Sequence, residues 1–285
     1  MSQLRPPDEL ARGDFEMVVR RLADDLAFGV DASRFVGSGI EYAKSRPYAA
    51  GDPMKMMDWR ITARLGRPFV KEYETPKRTA LHLVVDTSAS MGIASTRLTK
   101  HDLAVWIAGA LGLLGLRRMS PVAIVGAGER ATRGVASLAR GDLFRSLDPL
   151  RTAAVDEGTR LGDRVRELVV RAERTSVVVV LSDLHDDDAV PALRSAAKKH
   201  DVVAIHLVDP IERDPVRAGF LRFRDAESAE AGWAHGGTVW RRPGDVATDL
   251  AKSGVSYLRL DTDRPFLAPL RQFLAFRPDV RGGRG

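Results

Sequence analysis

The sequence predicts an α/β protein built on a mostly parallel sheet with helices on both faces. From Leu81 onward, short apolar runs alternate with longer amphipathic ones. One short run, Val177-Val178-Val179-Val180-Leu181, is almost entirely β-branched, the pattern of a strand covered on both sides. Another, Leu81–Val85, stops abruptly in Asp86-Thr87-Ser88-Ala89-Ser90, and strand ends of open α/β sheets are where such folds place their ligands.

Phe15–Phe28 has the spacing of an amphipathic helix, whereas Gly37–Tyr73 is rich in Gly, Pro and aromatics and shows little periodicity. Leu81–Val85 reads as the first strand of the sheet. His101–Leu116 follows as a helix apolar nearly all round. Leu103, Ile107, Leu111 and Leu114 fall at helical spacing, while Trp106 and Leu113 lie on other faces. Val122–Val125 is a strand, and Thr159–Ala172 a helix with Leu161, Val165, Leu168 and Val169 on one face. After the valine-rich strand come a helix over Asp188–His200, a strand over Val202–Val208, a last strand over Val255–Leu260 and a closing helix over Phe266–Phe276. The alternation lapses around Phe220–Trp240, where Phe220, Leu221, Phe223, Trp233 and Trp240 suggest a small hairpin. The expected organisation is an N-terminal segment (1–77), an α/β domain (78–278) with an insertion at about 210–242, and a disordered tail (279–285).

The chain's 285 residues suffice for one good core and a smaller appendage. Hydrophobic and charged fractions of 44% and 29% are those of a globular chain rather than a disordered one. With no cysteine, disulfides, thiolate metal sites and cysteine nucleophiles are excluded, which fits a reducing cytosol. Met1–Asp14 is polar and broken by Pro6 and Pro7, so it lacks the apolar core of a signal peptide. The longest apolar stretch, Leu103–Leu116, falls short of the roughly 20 residues that cross a bilayer. A cytoplasmic chain without a membrane span is therefore expected. Net charge is +6, but the arginines are spread among acids with no aromatic-rich basic stripe, so nucleic acid is not the expected partner.

The chemistry gathers at strand ends. Asp86, Ser88 and Ser90 follow the first strand of the α/β region, Asp183 follows the valine-rich strand, and Thr159 stands just before a helix. Carboxylate and hydroxyl oxygens converging on one point make a cage for a hard cation such as Mg²⁺. In a parallel sheet both carboxylates emerge on the same edge; bringing Thr159 to them is left to the fold. Each residue alone also reads as a helix cap, Thr159 above all. The joint pattern of two carboxylates and three hydroxyls, none needed for the core, favours a metal site.

Asp86-Thr87-Ser88-Ala89-Ser90, with Thr159 and Asp183 downstream, resembles the metal-ion-dependent adhesion site of von Willebrand factor A domains, Asp-x-Ser-x-Ser followed by a distant Thr and a distant Asp. Upstream, Gly37-Ser38-Gly39-Ile40-Glu41-Tyr42, Arg46-Pro47-Tyr48, Gly51-Asp52 and Asp58-Trp59-Arg60-Ile61-Thr62-Ala63-Arg64 resemble the signature that precedes such a domain in the "domain of unknown function 58" family. Asp209-Pro210 through Asp225-Ala226-Glu227 is similar to that family's later region. Two departures occur: Gly51-Asp52-Pro53 replaces the usual Gly-Asp-Asp, and Met57 replaces an aliphatic before Asp-Trp.

The resemblance implies a von Willebrand factor A-like fold and a divalent cation, usually Mg²⁺ but with Mn²⁺ or Ca²⁺ as alternatives. The serines would hold it directly, Thr159 and Asp183 directly or through water, with one position open for a carboxylate from a partner protein. Neutral hydroxyls leave the ion enough charge to attract that carboxylate. The resemblance further implies a MoxR-type AAA+ ATPase, or its client, as partner. Many relatives carry transmembrane helices before the signature, so this chain looks like a soluble short form. Arg46, Asp52, Asp58, Arg60 and Arg64 read either as ion pairs pinning the first segment to the sheet, with Trp59 and Tyr48 as packing anchors, or as a docking surface for the ATPase.

Enzyme readings are weaker. A phosphohydrolase of the haloacid dehalogenase type also begins with a strand-end Asp that binds Mg²⁺. It needs a second Asp two residues later as general acid, however, and Ser88 stands there. Gly-x-Ser-x-Gly is absent around Ser88, and no Gly-x-x-x-x-Gly-Lys phosphate loop occurs. His82 and His206 fall inside strands and read as packed, while His185 can approach Asp183 or belong to a solvated loop. A non-catalytic adaptor is the reading that results.

Overall fold

A computed structural model describes residues 14–27, 41–74, 79–130, 132, 134–152, 154–213, 220–224, 231–235 and 243–277. The chain divides into two compact units, Gly37–Arg78 and the remainder. In chain order the first elements are α1 (Phe15–Ala27), β1 (Glu41–Pro47), α2 (Trp59–Leu65) and β2 (Phe69–Glu74). Then come β3 (Leu81–Val85), α3 (Lys100–Arg117), β4 (Val122–Gly126), α4 (Arg140–Thr152), α5 (Leu161–Arg171) and β5 (Val177–Ser182). The last group is α6 (Ala189–Ala197), β6 (Asp201–Val208), α7 (Pro210–Arg213), β7 (Phe220–Arg224), β8 (Ala231–His235), α8 (Pro243–Ala251), β9 (Ser256–Asp261) and α9 (Leu267–Phe276).

The larger unit is the expected α/β domain. Its five-stranded sheet runs β4-β3-β5-β6-β9, every neighbouring pair parallel. Side chains alternate across a strand, and the valine-rich β5 uses both faces. Val177, Val179 and Leu181 join one apolar cluster, while Val178 and Val180 join the other. The first cluster is covered by α1, α3, α4 and α9, the second by α5, α6 and α8. Helix α3 is buried from Lys100 to Gly115, which explains why its sequence is apolar all round. A Cβ on Gly109 would stand 2.9 Å from Val19 Cγ1, so this glycine lets α1 come close.

Two differences from the sequence reading have clear causes. Helix α1 is not part of a separate N-terminal segment: Phe15, Val18, Val19, Leu22, Ala23 and Leu26 lie in the core of the α/β unit. Phe15 stacks against Trp106 with ring centroids 4.7 Å apart. Helix α4 was unannounced because charged residues and Pro149 interrupt its pattern, yet Leu143, Leu147 and Leu150 give it a buried stripe. The expected hairpin is present as antiparallel β7 and β8. Trp240, Phe28 and the 279–285 tail lie outside the described residues. Among the described residues no helix is long and apolar enough to cross a membrane.

The smaller unit pairs β1 and β2 antiparallel, with α2 between them in sequence. Asp58 caps α2, its Oδ1 accepting from Ile61 N at 3.1 Å, and Gly66 closes that helix in the left-handed region at φ 67°.

Leu22→Ala tests where α1 belongs. Leu22 is fully buried in the α/β core, so truncation is expected to cost about 2–5 kcal/mol, read from the urea midpoint. A midpoint unchanged within error would place α1 outside the cooperative unit.

Candidate metal centre

The sheet order reverses at β3. The chain goes from β3 to β4 on one side, then returns past β3 to β5 on the other. That switch point leaves a crevice at the strand ends, and Asp86 and Asp183 leave the sheet on its two sides. They are held level by register, with Val85 opposite Leu181 and Asp86 N donating to Leu181 O at 3.0 Å.

Asp86, Ser88, Ser90 and Asp183 form one buried, hydrogen-bonded group. Asp86 Oδ1 accepts from Ser88 N at 3.0 Å, and Oδ2 accepts from Ser182 Oγ at 2.5 Å. Ser88 Oγ and Ser90 Oγ are 3.0 Å apart, and the Ser90 hydroxyl bonds Asp183. Thr87, between Asp86 and Ser88, points elsewhere and donates to Glu157 Oε1 at 2.5 Å. Leu184, directly after Asp183, is a non-glycine residue in the left-handed region at φ 57°. Such a conformation costs about 1–2 kcal/mol, and here it turns the chain at the site.

Thr159 reaches the neighbourhood by backbone pairing. Ala89 N donates to Glu157 O at 2.8 Å, Arg160 N to Ala127 O at 2.9 Å, and Thr159 bridges Gly128. The alternative reading of Thr159 as N-cap of α5 is not observed: Arg160 holds that position, without a side-chain cap bond. Gly128 must be glycine, because a Cβ there would stand 2.2 Å from Glu157 Oε1 and 2.4 Å from Thr87 Oγ1.

Two participants escaped the sequence reading. Glu157 is buried and fixes the turn through Thr87 and through Arg130 N, which donates to its Oε2 at 2.6 Å. Lys100 is wholly buried, its Nζ donating to Asp183 Oδ2 at 2.7 Å and to Glu212 Oε1. Buried lysines are rare unless paired. The one signal in the sequence was a lysine opening an otherwise apolar helix. His185 Nδ1 stands 3.6 Å from Asp183 Oδ2, so His185 does approach the site. Asp183, His185 and Glu212 together can offer ligand atoms to one ion. His206 is packed as expected, bonded to Tyr257 Oη at 2.6 Å, and burial pushes it down to about 4.

The charges are frustrated. Burial, then the nearby Asp183 carboxylate, push Asp86 up to about 7. Burial also disfavours ionised Asp183, but the Lys100 ammonium overrides it and holds that carboxyl below the usual range. Burial opposes the Lys100 charge too, and Asp183 with Glu212 more than offset it. Buried carboxylates thus outnumber the ammonium facing them. The donor set fits a hard divalent cation, since carboxylates and paired hydroxyls are the oxygen ligands such ions take.

The expected docking residues are not part of this centre; they belong to the smaller unit. Arg46 grips Asp52 through two bonds of 2.7 Å, and that grip, with Ala49 N, holds Asp52 down to about 2. Asp58 is engaged by Ser45 Oγ at 2.6 Å as well as by its helix. Arg60 and Arg64 are exposed on α2. Trp59 is no packing anchor: it is 64% exposed, and Tyr48 is exposed as well.

The fold is an α/β domain with buried carboxylates and hydroxyls gathered at its switch point. The chain belongs to the DUF58 family, whose model, "Protein of unknown function DUF58", matches residues 44–241. It is 29% identical to the uncharacterized protein Rv1480 of Mycobacterium tuberculosis, over 95% of this chain and 94% of that one. Mb1516 of Mycobacterium bovis, also uncharacterized, shows the same identity and coverage. Among solved structures it is similar to the conserved hypothetical protein BatB from Bacteroides thetaiotaomicron. That match has a TM-score of 0.47 and 17% identity, covering 68% of this chain and 96% of that chain. The SpRpn10 VWA domain matches at TM-score 0.42 and 11% identity, covering 67% and 93%.

The charge balance predicts a pH dependence. In EDTA the folded protein holds the Asp86 proton up to about pH 7, whereas an aspartate of ordinary pKa releases it near 3.8. Unfolding therefore releases a proton between those values, and stability falls as pH rises through the window. Asp86→Asn is expected to flatten that fall between about pH 4 and 7, measured by urea titration; an identical slope in both proteins would remove Asp86 as its source.

Proposed function

We propose that this chain is a non-catalytic adaptor that captures a partner's carboxylate through a divalent cation, Mg²⁺ in the first instance. Asp86, Ser88, Ser90, Thr159 and Asp183 would hold the ion. When bound, it supplies a Lewis-acidic position for an acidic side chain from outside. The supporting observation is the buried excess of carboxylate over ammonium at the β3–β5 switch point, which a divalent cation would neutralise. Because Asp86 holds a proton up to about pH 7, cation binding near neutrality would release it.

The partner in this reading is a MoxR-type AAA+ ATPase or its client, as the family resemblance implies, in the cytoplasm. An adaptor accounts for the centre better than a phosphohydrolase does. Both oxygens of Asp86 accept hydrogen bonds, from Ser88 N and Ser182 Oγ, and no second carboxylate stands two residues on to act as general acid. Ser88 also supplies no acid to a leaving group.

Binding of the purified MoxR-type ATPase from the same source, measured by biolayer interferometry in Mg²⁺ and in EDTA, tests the reading. Wild type is expected to lose affinity on chelation by roughly a hundredfold or more, the order for removing a buried interfacial charge contact. Asp86→Ala is expected to bind weakly in either buffer while keeping the wild-type circular dichroism. Affinity indifferent to both metal and mutation would sink the metal-gated mechanism. Turnover of a phosphate ester, lost in Asp86→Asn, would favour the hydrolase.

A further inference from the structure

Lys100 stands in the first turn of α3, the end of a helix where the dipole is least hospitable to a cation. It is fully buried, where an ammonium is costly unless paired. Its pairing is built with care. Nζ holds Asp183 Oδ2 at 2.7 Å on one side and Glu212 Oε1 on the other. Glu212 is itself fixed, its Oε2 accepting from Asp209 N at 3.1 Å. Asp209 is fully buried and accepts from Ser95 N at 2.9 Å, Ile211 N at 3.0 Å and Thr262 Oγ1 at 3.3 Å. The loop that follows the Ser88–Ser90 turn and the ends of β6 and β9 therefore brace the carboxylate that holds the lysine.

We propose that Lys100 is a tethered cation that competes with the divalent ion for Asp183. This rests on the metal reading above and adds a residue outside its ligand set. The ammonium occupies an oxygen that an incoming ion needs, and its charge repels that ion in buried surroundings. It also keeps Asp183 paired when no metal is bound, so the centre stays assembled while empty. Lys100 is a positioning residue in the empty state and a competitor in the loaded one. The consequence is a centre that loads weakly and reversibly, set by one side chain.

Isothermal titration of the full chain with Mn²⁺ alone, on wild type, Lys100→Met, Glu212→Gln and Asp86→Ala, tests this. Removing a unit charge beside a divalent ion is expected to tighten Mn²⁺ binding by at least about tenfold in Lys100→Met. The thermal midpoint of that variant should respond to Mn²⁺ more than that of wild type. Glu212→Gln leaves Lys100 with Asp183 as its one charged partner and takes a negative charge from the site, so it should weaken Mn²⁺ binding. Lys100→Gln, titrated alongside, keeps a hydrogen-bond donor to Asp183 without the charge, should tighten binding, and carries the test if Lys100→Met does not fold. Equal or weaker binding in Lys100→Met and Lys100→Gln, with Asp86→Ala abolishing it, would overturn the competition and leave the metal reading standing. No Mn²⁺ binding by any of the proteins would overturn the metal reading, and this inference with it.

Discussion

Two carboxylates leave adjacent parallel strands and are buried where they do so, and the polar contacts gathered around them follow from that crowding. Asp86 and Asp183 sit on either side of the β3–β5 boundary because the register of two mostly apolar strands puts them there. Neither can rotate into solvent, so their charge has to be met locally. Ser182 and Ser88 N meet Asp86, while Lys100 and the backbone of His185 meet Asp183. What is left over is met by a proton on Asp86. The charge of this centre is thus shared between a proton and an ammonium.

The packing of α3 makes this arrangement possible. Its first turn carries both Lys100 and His101, whose ring bridges Asp86 O and Leu150 O at 3.2 and 2.9 Å. A helix that bore polar groups there and a wet face along its length could slide or fray. Instead α3 is buried along nearly all its length, with α1 against Gly109 and α4 against Gly112. The capping box of Thr99 and Asp102 fixes its start directly before Lys100. The apolar bulk that makes α3 uninformative as a functional motif is what holds its first turn still.

How far the sequence could be read depended on the distance over which each feature is specified. Strands declared themselves through local composition, and Leu81–Val85 in the fold has the bounds its pattern suggests. Asp86, Ser88, Ser90 and Asp183 were legible because hydroxyls and carboxylates at strand ends are unusual on their face. Lys100 and Glu157 were not: Lys100 meets partners 83 and 112 residues away, and Glu157 meets Thr87 from 70 residues away. Amphipathicity gave α1 its helix but could not say which apolar surface covers it. Trp59 shows the opposite failure, since an aromatic among charges suggested burial and the side chain lies exposed.

The same fastening bears on the insertion that follows β6. Before the chain departs toward β7 it is tied down three times within five residues. Asp209 binds the loop after the serine turn, Glu212 binds Lys100, and Arg213 pairs with Asp261 at 3.1 Å and Asp263 at 3.1 Å. Only one of these ties, Glu212 to Lys100, ends on a group whose other partner is a candidate metal ligand. Asp183 and α7, the root of the insertion, are therefore held by a single ammonium. Charge at the strand ends and the position of that root are parts of one electrostatic balance, although 29 residues of sequence separate Asp183 from Glu212.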